Sequence, residues 1–554
     1  MLNLRAAYVF EAKGIQPFIA AGGRLRDAVG ASLLIESLCA EADPDPAKGI
    51  PTGGLLDGAL AASGFAPGEA AFTRRAAGCV SFVVGGPDAL ARVQRFRALW
   101  TLLVQQAAPG LPFVDMIGVG RSVNSAIEAA LGRGDARRAL PQMVLPQAGP
   151  MHHVVPRTGQ PAISELAPHE SDASERLVDA ATFRKRAFAA RDVTDRVGLR
   201  FWPARPAEWN WPRDLEREFP WRGETQSLGV LHADGNRVGQ VLMALGNAAG
   251  PGQPESEDAP LSEKERQWLR MFLSFSQALD AATRAAAARA CDDVLSPMLN
   301  DIAARRDGRK YLPARPILLG GDDVTLLVRG DCAVPFTAAF LSHFEGEAAQ
   351  AFASDPVLAA LNFKPPTALT ACAGLAIVGA SQPFAQALAL AESLCKHAKK
   401  VAKGLVSDRE AVPSCFSFHR ATASLLDSYG DVLTRELTLE GGRQLTRNPY
   451  SVGVHAKGLT KYEALAKLKT ALGSQEGARG PARELAGMLY AGQALSRQRY
   501  GRWRATLSTR APTVLKDLDE ALAQLNVKDA AQLMDDTQSP LGDALALLAA
   551  EASA

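Results

Sequence analysis

At 554 residues the chain is long enough for three or four domains with their own cores, and 61 Lys and Arg against 59 Asp and Glu leave a net charge of +2. That balance excludes a protein wholly devoted to coating nucleic acid, although local patches can still bind RNA. Seven scattered cysteines without Cys-x-x-Cys spacing predict buried thiols in a reducing cytoplasm and no structural zinc, and no apolar run or signal-peptide pattern points to a membrane.

Residues 1–134 read as a first compact domain, interrupted by a Pro/Gly-rich loop from Asp43 to Gly68 whose low hydrophobicity marks an excursion. Its candidate hairpin, Ala76 to Gly86, contains no carboxylate. Residues 135–226 form an irregular connecting domain in which Trp202, Trp209, Trp211 and Trp221 interleave with Arg205, Arg213, Arg217 and Arg222. Aromatics alternating with arginine can stack on single-stranded bases, but such indoles more often anchor an irregular segment to its neighbour. His152 and His153 have no partner ligands at useful spacing and read as surface or core histidines.

Residues 227–420 open with an apolar strand, Leu228 to Asp234, followed by Gly235 and Asn236. An acidic loop from Gly250 to Pro260, a solvated tether or a gate, leads to a helix from about Leu261 to Val294. Pro316 to Val328 is the most informative stretch: two apolar β-type runs meet at Gly320-Gly321-Asp322-Asp323, a hairpin with adjacent carboxylates at its tip. Adjacent aspartates repel, and a cation beside them offsets the cost. Hard carboxylate oxygens favour Mg²⁺ or Mn²⁺. Gly320 and Gly321, lacking Cβ, allow a tight turn and close approach of a triphosphate. The tetrapeptide alone is also ordinary turn chemistry. Asp234 shifts the balance, because one strand-end acid facing a hairpin-tip pair is a two-metal arrangement. The order strand, helix, hairpin, helix (Val334 to Phe352), strand (Thr370 to Gly379) is that of a ferredoxin-like palm, continued by a helix from Phe384 to Lys403 and a strand from Ser414 to His419. Lys396, Lys400 and Lys403 read as complements of the helix dipole and of solvent.

Residues 421–554 are helical in pattern, with amphipathic spacing over Tyr462 to Leu472, Ala482 to Tyr500 and Val514 to Leu525, and an Ala-rich run from Leu541 to Ala554. A small helical bundle, a candidate interaction module, is expected.

In combination these features resemble the polymerase-like large subunit of type III CRISPR effector complexes, which carries two palm domains. The resemblance rests on Gly320-Gly321-Asp322-Asp323, on Ala233-Asp234-Gly235-Asn236 with Gly239, and on the Ala373-Gly374 strand with its Ala391-Glu392 to Ala398-Lys399 helix. Glu11 to Ile19 and Leu25 to Ser32 add the opening of a first palm. It covers most of residues 1–420. It implies an α+β fold of two ferredoxin-like palms plus a C-terminal helical bundle. It also implies a nucleotidyltransferase that makes cyclic oligoadenylate from ATP as an antiviral second messenger, alongside other CRISPR-type effector subunits and guide and target RNA. Carried over by position, Asp234, Asp322 and Asp323 are the catalytic acids holding two Mg²⁺ or Mn²⁺ ions. Gly320 and Gly321 admit the phosphates, Lys399 binds the triphosphate, and Asn236 either contacts the nucleotide or satisfies its own loop backbone. Three departures are expected. The family's N-terminal nuclease domain is absent, since the palm signature begins almost at Met1. The zinc module between the palms is missing. The first palm, with Glu11 at its strand end and no hairpin carboxylate, lacks metal chemistry but can hold an acceptor nucleotide across the interface between the palms. Two other readings stay open: a stand-alone signalling cyclase acting without guide RNA on another nucleotide such as GTP, and a non-catalytic scaffold subunit of an RNA-binding complex.

Overall fold

The computed structural model describes residues 5–41, 54–76, 78–134, 145, 147–165, 177–191, 195–222, 226–248, 260–303, 308–361, 365, 367–422, 428–439, 441–455, 457–474, 484, 487, 490, 493–527 and 537–552. The acidic loop at 250–259 and residues 43–53 of the Pro/Gly-rich loop lie outside the described residues.

In β1 (Arg5–Ala12) every residue from Arg5 to Phe10 is buried, so the strand must be covered on both faces. Tyr8 and Phe10 meet α3 (Ala89–Ala107) on one face: Tyr8 packs edge-on to Phe96 at 5.1 Å and Phe10 to Trp100 at 5.6 Å. The first helix α1 (Ile15–Ala20) and α2 (Leu25–Cys39) lie in the same core. Ala7 and Val9 face the other way, into a core shared with α4 (Val123–Leu131) and with the second palm. With β2 (Ala71–Ala76), β3 (Cys79–Val84) and β4 (Phe113–Gly120) the sheet order is β2-β3-β1-β4, a ferredoxin-like palm. The stretch Ala76 to Gly86 supplies only the turn and second strand of the hairpin; its first strand lies upstream and carries Arg74 and Arg75.

The second sheet repeats that order. Its strands β5 (Ser227–Gly235), β6 (Ala314–Gly320), β7 (Asp323–Arg329) and β8 (Ala371–Gly379) are arranged β6-β7-β5-β8, extended beyond β8 by β9 (Cys415–Arg420), β10 (Tyr450–Ser451) and β11 (Thr460–Lys461). After β5 come α5 (Val238–Ala248) and the long α6 (Glu263–Ala290), which with α7 (Gly330–Ser354) covers one face. The other face takes α8 (Phe384–Gly404). That contact requires Gly374, because a Cβ there would stand 2.0 Å from the Ala391 carbonyl oxygen. Both palms are therefore two-layered α+β units, joined through the first palm's second face.

Two buried ion pairs tie the parts together. Arg5 donates from Nε to Glu265 Oε1 at 2.8 Å and from Nη2 to Oε2 at 3.0 Å, linking β1 to the first turn of α6. Arg315 of β6 is paired with Asp195 of the connecting segment, with an Nη2–Oδ1 distance of 3.0 Å. In that segment Trp202, Trp209 and Trp211 are buried, and Trp202 Nε1 donates to Asp292 Oδ1 at 2.8 Å. Their rings anchor the segment and are out of reach of bases. At the C-terminus α9 (Tyr462–Gly473), α10 (Gln493–Arg510), α11 (Pro512–Gln524) and α12 (Leu541–Ala552) form the helical bundle. Of the helix expected from Ala482 to Tyr500, Glu484, Gly487 and Tyr490 are helical and its later part belongs to α10, while Ala482 lies outside the described residues. Among the described residues no helix is long and apolar enough to cross a membrane.

Removing one partner of a buried charge pair leaves the other's desolvation uncompensated. Glu265→Ala is expected to destabilise the chain by about 3–5 kcal/mol, seen as a lower urea midpoint, with Glu265→Gln intermediate. Equal midpoints for wild type and Glu265→Ala would show that the pair does not hold the palms.

Candidate active site at the hairpin of the second palm

The site is built where three strands end. β7 pairs antiparallel with β5 in the register Val324 to Ala233, and one residue further this brings Asp323 beside Asp234 and Asp322 beside Gly235. Gly235 is required there: a Cβ on it would meet Asp322 Cβ at 2.8 Å and Oδ2 at 3.0 Å. On its other side Asp234 is in register with Cys372 of β8. Gly320 is paired with Asp323 across the hairpin and has open space where a Cβ would lie.

The tip is clamped from α6. Thr283 Oγ1 donates to the Gly321 carbonyl at 2.5 Å, and Gly321 N donates to Asp280 Oδ1 at 3.4 Å. Arg200 bonds Asp280 and the Leu319 carbonyl, both at 3.5 Å. Lys399, on α8, reaches across to the end of β5, where Nζ donates to the Gly235 carbonyl at 2.8 Å and pairs with Asp234 Oδ2. Lys396, by contrast, is 80% exposed and only approaches Glu392 at 3.9 Å.

Electrostatics follow from this crowding. Burial first, then the charges of Asp322 and Asp234, push the Asp323 carboxyl up to about 8. Asp322 is also raised, by burial and by Asp234, with Arg74 and Lys399 opposing. Burial lowers the Lys399 ammonium, but the charge and hydrogen bond of Asp234 outweigh it and the net shift is upward. His232, two residues before Asp234, is pushed down to about 4 by burial and is a neutral imidazole.

Asn236 is held by the sheet through its amide nitrogen. Its side chain is 1% exposed and its Nδ2 donates to Thr370 Oγ1 at 3.0 Å and Cys372 Sγ at 3.3 Å, bracing the end of β5 against the start of β8. Among the described residues no three His, Cys, Asp or Glu side chains stand close enough to hold one ion, so Asp234, Asp322 and Asp323 do not form a closed three-carboxylate cage. The donor set still suits a hard divalent cation, which commonly takes one or two carboxylates and completes its shell with water and phosphate oxygens. At Asp234 the Lys399 ammonium stands where a cation would.

Beside the tip, between the two palms, lies a cleft of about 510 Å³. Glu11 and Arg74 line it from the first palm, and Gly321 and Asp322 from the second, with Met243 and Phe272 on an apolar wall. Arg74, Asp280 and Thr283 were not expected at the site. The Arg74-Arg75 pair just before the first hairpin was the one legible signal; Asp280 and Thr283 look like ordinary helix residues.

Two ferredoxin-like sheets, one ending in an acid-tipped hairpin, define a two-palm protein. Residues 227–407 match the family model described as Cas10/Cmr2, second palm domain. No curated protein matches the chain. Similar solved structures include Csm1 in T. onnurineus, at 13% identity and a TM-score of 0.49 over 99% of this chain and 69% of that one. A Csm1-Csm4 cassette in complex with cA3 is 12% identical with a TM-score of 0.47, and one in complex with cA4 is 12% identical with a TM-score of 0.46, each over 99% of this chain and 70% of theirs.

Because the folded chain holds a proton on Asp323 well above the ordinary aspartate value of 3.8, its contribution to stability is full below that value and is lost as pH rises through about 8. In chelator, Asp323→Asn is expected to flatten the fall in Tm between pH 5 and pH 9. Parallel Tm profiles for wild type and variant would refute the assignment.

Proposed function

We propose that the chain is a Mg²⁺- or Mn²⁺-dependent nucleotidyltransferase that joins ATP into cyclic oligoadenylate, as part of a type III CRISPR-type RNA-guided assembly. One observation carries this reading: the acidic hairpin tip, the strand-end Asp234 and Lys399 come together inside the segment that matches the Cas10/Cmr2 second palm domain. In the proposal no more than two of the three acids Asp234, Asp322 and Asp323 at a time hold a divalent cation, whose shell water and phosphate oxygens complete. When bound, that cation lowers the pKa of the attacking ribose hydroxyl and neutralises phosphate charge. Lys399 offers a fixed positive charge to the triphosphate, and the open side of Gly320 lets the phosphates approach the backbone. No side chain needs to act as a nucleophile, because phosphoryl transfer depends on positioning and electrostatic stabilisation.

A purely structural role is disfavoured by cost. Burial and like charge raise Asp322 and Asp323, so both acids work against folding. A scaffold gains nothing from them.

The test is synthesis from each nucleoside triphosphate with Mn²⁺, with and without partner subunits and target RNA. Wild type is expected to convert ATP. The double variant Asp322→Ala, Asp323→Ala is expected to lose at least about 100-fold in rate while melting no lower than wild type, and Lys399→Ala to lose roughly 10- to 100-fold. Undiminished product from the double variant would defeat the proposal. Product formed without RNA or partners would favour a stand-alone cyclase, and preference for GTP would change the substrate.

A further inference from the structure

The first palm contributes a cation to the second palm's hairpin. Arg74 lies on β2, at the edge of the first sheet, beside an irregularity in the pairing with β3 between Phe72 and Arg74. Beyond the irregularity Arg74 and Arg75 pair in regular register with Ser81 and Val80, so strand alternation sends the two consecutive arginines to opposite faces. Arg75 goes to the far side, where it forms a two-pronged pair with Asp57 at 2.9 and 2.8 Å and donates to the Cys39 carbonyl at 2.8 Å. Arg74 instead points into the cleft between the palms, and its Nη2 lies 3.7 Å from where a Cβ on Gly321 would stand. Cys79 foremost, and then Asp322, Asp323 and Glu11, raise its guanidinium pKa against the opposing effect of burial. Among the described residues this guanidinium makes no hydrogen bond or ion pair, unlike Arg75. It keeps substantial accessible area although protein surrounds it, as expected of a group lining a cleft.

We propose that Arg74 is a phosphate ligand in trans between the palms, gripping the β- and γ-phosphates of the nucleotide bound at Asp322 and Asp323. The inference rests on the function proposed above. A planar guanidinium with parallel N–H donors suits two phosphate oxygens at once, which an ammonium cannot match. In the reaction the ribose oxygen forms a bond to the α-phosphorus, and the bond from that phosphorus to the α–β bridging oxygen breaks. Pyrophosphate leaves with the electron pair, and the hydroxyl proton passes to water. Charge builds on the departing oxygens, which Arg74 would meet from the first palm. Before nucleotide enters, the same guanidinium partly answers the charge of the hairpin acids.

The assignment is tested by equilibrium binding of α,β-methylene-ATP and of AMP, each with Mn²⁺, to the full chain carrying Arg74→Ala or Arg74→Lys. Arg74→Ala is expected to weaken the triphosphate by about 10- to 100-fold and AMP by no more than about twofold, with Arg74→Lys recovering part of the loss. Without nucleotide, Arg74→Ala is expected to bind Mn²⁺ several-fold more tightly, since a competing cation has gone. Matching melting curves establish that the variants fold. Unchanged preference for triphosphate over AMP in Arg74→Ala overturns the assignment, as does equal weakening of both ligands. If the Asp322→Ala, Asp323→Ala variant has lost synthesis while Arg74→Ala keeps wild-type preference, only the Arg74 assignment falls. If wild type binds neither nucleotide, the proposed function falls with it.

Discussion

Carboxylates gathered where water is scarce must be answered by positive charge, and the second palm is organised around that requirement. Asp234 is answered directly by Lys399, which α8 can deliver only because Gly374 lets the helix rest on the sheet backbone. Among the described residues Asp322 and Asp323 have no equally close partner, and burial together with the neighbouring acids keeps the proton on Asp323 to about pH 8. The surrounding structure sustains this unfavourable arrangement through the strand register that sets Asp322 against Gly235 and through the clamp of Thr283 and Asp280 on Gly321.

The two palms share a strand order and differ in charge. The second carries acids at the turn of its hairpin, whereas the first carries Arg74 and Arg75 on the strand leading into its turn. The pair is thus complementary as well as repetitive. Arg74 faces the acids, and Arg75 secures the strand that presents it.

Much of the second palm was legible because its strands are apolar on both faces and its helices long and periodic. Asp234, Asp322 and Lys399 were recognisable because each sits at the end of such an element or in a motif shared with a known family. The first strand of the first hairpin was not, since Ala71 to Ala76 is a half-exposed edge strand with an irregular register that breaks the alternation. The bracing of Asn236 was not legible, because the atoms that its amide nitrogen meets, at Thr370 and Cys372, are more than a hundred residues away in the chain. Thr283 is similar: a threonine in a helix shows no preference for a carbonyl on a distant hairpin until the fold brings them together.

The long helix α6 has one further implication. Near its start Glu265 is locked to β1 of the first palm, and further along Thr283 is locked to the hairpin of the second. The stretch between them is roughly 27 Å of continuous α-helix, at about 1.5 Å per residue. It works as a strut with both ends fastened, so the acidic turn cannot be re-aimed independently of the opposite lobe, and alignment of the two lobes becomes a single mechanical degree of freedom.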